Sequence, residues 1–198
     1  MTDVADRYAH DTYTLRRKVL TVLGAKFHIY DPNGQLALFA KLKAFKLKED
    51  IRIYADEEMT QEVLAIRTNS VFDIAGTYDV FDSVEQQTVG ALQRKGLKSV
   101  LRDEWLVLDT QGKEVGKILE DSGVKAIVRR FVDFAAFLMP QKFHVEMGGK
   151  TIATYQQNFN PFVQKIMIDF SPDTANQLDA RLGLAAAVLL CAIEGKQN

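Results

Sequence analysis

The segment LGLAAAVLLCAI, residues 182–193, constrains the whole fold because it carries no charged side chain over its entire length. Arg181 and Glu194 close its two ends. As a helix it would be roughly 18 Å long at 1.5 Å per residue, well short of the roughly 30 Å hydrocarbon core of a bilayer. A short helix that is apolar on every face belongs in a protein interior. We therefore expect a buried helix, not a transmembrane span, with other elements wrapped around it.

The composition is that of an ordinary globular domain. The chain has 198 residues, of which 47% are apolar and 26% charged, and its net charge is −1. We expect a single domain over residues 1–198 and no general attraction to nucleic acid. The one cysteine, Cys191, excludes an internal disulfide and a multi-cysteine metal site. Because the N-terminal stretch has no apolar core, the sequence predicts no secretory signal and a cytoplasmic location.

Four segments share one pattern and predict β-hairpins. Each begins with an aromatic residue that is followed, two positions later, by Ile or Val, and each then reaches a polar turn before a second alternating run. In the first segment, alternation puts Phe27 and Ile29 on one face and His28 and Tyr30 on the other. The segments are FHIYDPNGQLALFAK (27–41), YDVFDSVEQQTVGALQRK (78–95), WLVLDTQGKEVGKILED (105–121) and FHVEMGGKTIATYQQ (143–157).

Further alternating runs, such as TYTLRRKVL, EVLAIRT and FVQKIMIDF, raise the expected number of strands to about twelve. Two helices are expected. One covers residues 121–139 and is stopped by Pro140, and the other contains 182–193 and has Ser171 or Asp173 as its cap. So many strands do not fit a flat sheet, and closing them removes exposed edges. The fold class is therefore mainly β with two helices, a closed antiparallel barrel of about twelve strands around the C-terminal helix.

This arrangement resembles the tubby C-terminal-like superfamily, and within it the LURP-one-related and phospholipid scramblase-like branch. Two stretches carry the resemblance. KFHIYDPNGQLALFAK (26–41) is similar to the opening hairpin of the branch, and QKIMIDFSPDTANQLDARLGLAAAVLLCAIE (164–194) resembles its last strand, turn and terminal helix. The resemblance covers about residues 13–194 and contains no catalytic signature, so it bears on fold more than on function.

The resemblance implies two kinds of ligand. Scramblases have an acidic stretch before the terminal helix that is linked to calcium. In this sequence Lys165 interrupts that stretch, and Asp169, Asp173 and Asp179 do not follow the EF-hand spacing, so we expect no metal and no cofactor. Tubby proteins bind phosphoinositides through basic residues on the barrel wall, which implies an analogous site for an anionic phospholipid or phosphoinositide headgroup. The candidate ligand-binding residues are Lys41, Lys43, Lys46, Lys48, Arg16 and Lys18.

The sequence contains no nucleophile elbow, P-loop or dinucleotide-binding glycine motif, so we expect no enzyme. His28 and His144 occupy equivalent places in two hairpins and are interpreted as outward-facing polar residues, not metal ligands. Three functions stay open. The first is a non-enzymatic, peripheral membrane module that recognises anionic lipid headgroups. The second is a regulatory protein that acts on a protein partner, and the third is an enzyme with a small-ligand pocket at the barrel mouth.

Overall fold

The computed structural model describes residues 5–18, 24–43, 51–68, 76–95, 104–121, 141–158 and 163–194. A short 3₁₀ turn at Ala5–Tyr8 comes first, and one helix, α1 (Ala180–Glu194), comes last. Between them lie β1 (Thr12–Lys18), β2 (Gly24–Tyr30), β3 (Leu36–Lys43), β4 (Ile51–Tyr54), β5 (Glu62–Thr68), β6 (Thr77–Asp82), β7 (Gln87–Arg94), β8 (Glu104–Leu108), β9 (Glu114–Glu120), β10 (Lys142–Met147), β11 (Lys150–Asn158) and β12 (Val163–Asp169).

The twelve strands close into one antiparallel barrel, and their order around the barrel is their order along the chain. The closure is the pairing of β1 with β12, in which Tyr13 lies opposite Ile168. The expected barrel of about twelve strands is therefore confirmed. All four predicted hairpins are also confirmed, as the pairs β2–β3, β6–β7, β8–β9 and β10–β11.

Helix α1 fills the barrel. Residues 182–193 are all buried, and Leu184, Ala185 and Val188 have no exposed surface. The wall holds the helix through two of its carbonyl groups. The Tyr155 hydroxyl donates to the Gly183 carbonyl at 3.0 Å, and Nη1 of Arg17 donates to the Cys191 carbonyl at 3.0 Å. The apolar segment that opened the sequence is thus the centre of the barrel's core.

Within the described ranges, no helix is long and apolar enough to cross a bilayer.

The described residues contain one α-helix, where the sequence predicts two. The other predicted helix covers 121–139, and apart from Asp121 that range lies outside the described residues. The predicted caps of α1 were wrong. Its N-cap is Asp179, whose carboxylate accepts the Arg181 backbone N–H at 2.9 Å. Asp173 instead accepts two backbone N–H groups within the preceding turn, at 2.9 and 2.8 Å.

Aspartates shape the turns at one end of the barrel. Asp31 and Asp109 begin two turns of the same design, because each carboxylate accepts the backbone N–H group four residues further on. The third residue after each aspartate is a glycine with positive φ, +79° at Gly34 and +78° at Gly112. We call this end of the barrel the turn end. Its connections are residues 31–35, 55–61, 83–86, 109–113, 148–149 and 170–179. Helix α1 begins at the turn end and runs to the opposite end.

Candidate functional site

Alternation along four neighbouring strands places basic side chains on the outer surface of the barrel. In β2, Phe27 and Ile29 are buried in the core, so Lys26, which directly precedes Phe27, points outward. In β1, the buried Leu15 is followed by the exposed Arg16. The same alternation acts in β3 and β12. We call the four outward-facing basic residues the basic strip, which consists of Lys165, Arg16, Lys26 and Lys41 on β12, β1, β2 and β3.

The register of the strands puts like charges directly opposite each other. Lys26 lies opposite Lys41, and Arg16 lies opposite Lys165. Side chains so placed have their Cβ atoms about 5 Å apart, and like charges in that position destabilise a sheet. None of the four forms an ion pair with a carboxylate of a described residue. The basic strip therefore concentrates positive charge at a cost in stability, an arrangement that suits the binding of an anion.

Cations elsewhere on the outer wall are mostly paired with carboxylates. Nη1 of Arg52 lies 2.6 Å from the Glu62 carboxylate, and the Lys95 ammonium lies 2.9 Å from that of Glu104. The hydrogen bond from Lys95 lowers the pKa of Glu104. These pairs satisfy their own charges, which sets them apart from the basic strip.

Aromatic side chains support the guanidinium group of the strip. The Arg16 guanidinium carbon lies 4.8 Å from the centre of the Tyr30 ring, which is within cation–π distance. The Tyr30 ring is stacked on His28, with 6.1 Å between ring centres, and His28 in turn packs against Phe39 at 5.0 Å. Nε2 of His28 lies 3.4 Å from a carboxylate oxygen of Glu57. The Arg16 guanidinium is thus in contact with the first ring of a packed aromatic row on the outer wall.

The structure brings two of the six predicted ligand-binding residues together. Arg16 on β1 and Lys41 on β3 lie on the same wall, with β2 between their strands. Lys18 and Lys43 end β1 and β3 on that wall, and their side chains are outside the described part of the structure. Lys46 and Lys48 lie outside the described residues altogether, so their place in a site stays a prediction.

Two members of the basic strip were missed by the sequence analysis. Lys26 directly precedes the first hairpin motif, and its alternation with Phe27 was a sufficient signal to place it outside. Lys165 was noted only as an interruption of an acidic stretch. No local pattern could have placed it beside Arg16, because their contact depends on the pairing of β1 with β12.

The histidines do not form a shared site. His28 and His144 both face outward, as the sequence predicts, but they lie on β2 and β10, which are not neighbours. The ring nitrogens of His144 contact two carboxylates, Nδ1 that of Asp121 and Nε2 that of Glu146 at 3.1 Å. In the part of the chain that the structure describes, no group of three or more His, Cys, Asp or Glu residues is placed to hold a metal ion.

Two cavities are relevant to small ligands. One lies between α1 and strands β10–β12, is lined by Gln157, Gln164 and Cys191 among others, and has a volume of about 10 Å³, enough for about one water molecule. The other is a cleft of about 250 Å³ at the turn end, between the 3₁₀ turn and the β2–β3 connection. Its Arg7 side chain already donates to the Ala37 and Ala55 carbonyls at 2.9 Å each. The arginine in this cleft thus ties the N-terminal turn to the barrel.

Comparison with known proteins agrees with this architecture. No curated protein matches the chain significantly. An X-ray structure of a protein from Arabidopsis thaliana matches with a TM-score of 0.51 at 12% identity, over 95% of this chain and 94% of that one, which shows a shared fold. Residues 36–191 match the family model described as LURP-one-related. Because that match spans most of the barrel and nearly all of α1, the chain belongs to the LURP-one-related family.

Proposed function

We propose that this protein is a non-enzymatic, peripheral membrane module that recognises anionic lipid headgroups through the basic strip. One observation carries the proposal. Two like-charge pairs, Lys26 with Lys41 and Arg16 with Lys165, face each other across neighbouring strands without a described carboxylate partner. An anionic ligand would reduce the repulsion within each pair, so binding of the ligand would also stabilise the sheet.

The charge of the strip is large enough for weak, reversible binding. Each Lys or Arg close to an anionic leaflet contributes about 1 kcal/mol of binding free energy. The four residues of the strip together therefore provide about 4 kcal/mol. Exposed charges are screened over about 8 Å at physiological ionic strength. The proposal therefore includes a steep loss of binding as salt is raised.

The shape of the molecule supports a binding module over the two alternatives. The cavity against α1 has room for about one water molecule, and the Arg7 side chain in the larger cleft at the turn end already donates to the Ala37 and Ala55 carbonyls. The four exposed large apolar side chains of the described residues lie on four different elements, and a protein-docking face would need several of them in one continuous patch. They are Met59, Val84, Val115 and Met167.

Co-sedimentation with liposomes tests the proposal. Vesicles of neutral lipid, and of neutral lipid mixed with phosphatidylserine, are titrated with the protein and with a Lys26→Gln/Lys41→Gln variant. Loss of two charges at about 1 kcal/mol each predicts roughly 30-fold weaker binding to the anionic vesicles. The matched control is Lys113→Gln/Lys150→Gln, which removes two exposed lysines at the turn end.

The two variants carry the same net charge, so only the position of the lost charges differs between them. We expect the control to bind like the parent protein and both interactions to weaken with salt. Equal binding by the parent and the Lys26→Gln/Lys41→Gln variant would refute the role of the strip. Binding that does not distinguish neutral from anionic vesicles would refute recognition of charge.

A further inference from the structure

A band of uncharged side chains crosses the outer wall beside the basic strip. Met167 on β12 lies opposite Gln156 on β11 and opposite Thr14 on β1, and Thr14 lies opposite Tyr30 on β2. All four side chains face outward, because the residues next to them on their own strands are buried. We call these four residues the neutral band. It lies on the turn-end side of the strip, where the connections at 31–35 and 170–179 are described.

Met167 is the member of the band that the fold does not explain. It is 60% exposed, more than any other large apolar residue of the described ranges, and it stands in the middle of a strand. A side chain left in water adds little to the stability of the barrel, since the gain comes from apolar surface removed from water. Methionine is unbranched and adapts to irregular apolar surroundings. Its place therefore suits contact with a soft apolar phase.

Positive charge borders Met167 on the side away from the turn end. Lys165 precedes it by two residues on the same face, roughly 7 Å along the strand, and Arg16 lies opposite Lys165. The Arg16 guanidinium extends toward the neutral band, because its carbon lies 4.8 Å from the centre of the Tyr30 ring. Cations beside an exposed apolar side chain are typical of surfaces that bind anionic lipid and bury the apolar group at the boundary of headgroups and acyl chains.

Carboxylates mark the edge of this surface toward the turn end. Asp169 follows Met167 by two residues, and one of its carboxylate oxygens accepts the Ser171 backbone N–H at 2.9 Å. The Glu57 carboxylate lies 3.4 Å from Nε2 of His28. An anionic surface is repelled by these groups and attracted by the four cations of the strip. The contact is therefore centred on the strip, with the neutral band at its border.

Tyr30 gives the band a second group suited to a membrane interface. Its ring is half-buried against His28, and a tyrosine combines an apolar ring with a hydroxyl that stays hydrated among headgroups. The strip beside it is wide, because four strands at about 4.8 Å spacing extend over roughly 14 Å. A free phosphate ester would contact only part of that width and has no apolar phase to take up Met167. A bilayer provides both.

We propose that the barrel meets an anionic bilayer with the wall of β12, β1 and β2, and that Met167 enters the boundary between headgroups and acyl chains. The strip binds the headgroups, and Met167 adds an apolar contribution that salt does not screen. The inference rests on the proposed function and adds to it the direction of approach and the apolar contact.

An environment-sensitive dye at matched exposed positions tests the approach. The variants Met167→Cys, Val84→Cys and Val115→Cys each replace one exposed apolar residue and are labelled with the fluorophore NBD. Val84 lies in the connection of β6 and β7, and Val115 lies on β9, so neither belongs to the proposed wall. The native Cys191 is buried and is therefore protected from labelling in the folded protein. On phosphatidylserine-containing vesicles we expect the NBD emission of Met167→Cys alone to rise and shift to the blue.

Co-sedimentation of Met167→Ser with the same vesicles measures the apolar contribution. Burial of the exposed 60% of this residue corresponds to roughly a 5- to 20-fold gain in affinity. We expect Met167→Ser to bind more weakly by that factor and to keep the salt dependence of the parent protein. Val84→Ser is the matched control and should bind like the parent.

The outcomes separate the inference from the function on which it rests. Vesicle binding without an emission change in Met167→Cys, or with parental affinity in Met167→Ser, would overturn the insertion and leave headgroup recognition intact. An equally large emission change in Val84→Cys or Val115→Cys would overturn the approach by this wall. No binding of the parent protein to anionic vesicles would overturn both the inference and the proposed function.

Discussion

Replacing Leu189 with aspartate tests whether the barrel depends on its central helix. Leu189 lies inside α1 and is 1% exposed. Loss of a buried leucine side chain costs about 2–5 kcal/mol. A buried carboxyl whose pKa is raised by about three units costs about 4 kcal/mol more at neutral pH. The total of about 6–9 kcal/mol is comparable to the 5–15 kcal/mol by which a typical domain is stable, so we expect Leu189→Asp to be largely unfolded.

Urea unfolding provides the measurement, followed by far-UV circular dichroism and by the fluorescence of Trp105, which is buried in the wall. Leu189→Ala isolates the loss of packing. The remaining difference between the two variants must depend on pH. The introduced carboxyl has a higher pKa in the folded state, so its penalty is absent below the unfolded-state pKa of about 3.9 and grows as pH rises above it.

The gap in urea midpoint between Leu189→Asp and Leu189→Ala should therefore be small near pH 4 and large near pH 7. Leu189→Met, which conserves volume, should cost less than about 1.5 kcal/mol. A Leu189→Asp protein with the midpoint of the parent at pH 7 would mean that the helix is not enclosed by the strands, and the assignment of the core would fall.

Three further predictions concern local features. Asp179→Ala removes the N-cap of α1 and should lower the free energy of unfolding by about 1 kcal/mol in urea. Asp179→Asn keeps a capping oxygen and should be close to the parent in stability. An equal loss in both variants would assign the effect to the pairing of Asp179 with Arg181 instead. Gly183→Ala would place a Cβ 2.7 Å from the Phe170 ring and should cost about 1–3 kcal/mol of stability. Gly112→Ala has open space around the new Cβ but a φ of +78°, and it should cost about 1 kcal/mol. Thermal unfolding that ranks Gly112→Ala as the more damaging variant would contradict this. Lys95→Gln removes the hydrogen bond that lowers the pKa of Glu104, so carbon-detected NMR titration should show that pKa rising, and an unchanged value would mean that the pair does not form in solution.

The barrel could be predicted from the sequence because its causes are local. Each hairpin is encoded by a short alternating run, a turn residue such as Asp31 or Asp109, and a second run. The apolar run at 182–193 then required an enclosure, since it has no polar face to expose to water. Strand number, hairpin pairing and the place of the helix all follow from these features.

The candidate site was predicted only in part because its main causes are not local. Lys41 and Arg16 were found as basic residues in alternating runs, but their neighbours depend on register and closure. Lys165 is adjacent to Arg16 only because β12 pairs with β1, and that contact joins the two ends of the barrel. The cap of α1 was missed for a different reason. Ser171 and Asp173 were expected as caps and Asp179 was not considered, because the choice depends on where the preceding turn ends.

The pairing of β1 with β12 also determines when the molecule can fold. On a ribosome the hairpins can form one after another as they emerge, because each needs only a nearby stretch of chain. Tyr13 must nevertheless wait for Ile168 before the wall can close, and the apolar lining has nothing to pack on until α1 follows. Contacts so distant in sequence slow folding. Nascent chains of this protein are thus expected to hold an open, aggregation-prone sheet until synthesis has passed α1, and to need chaperone protection during that interval.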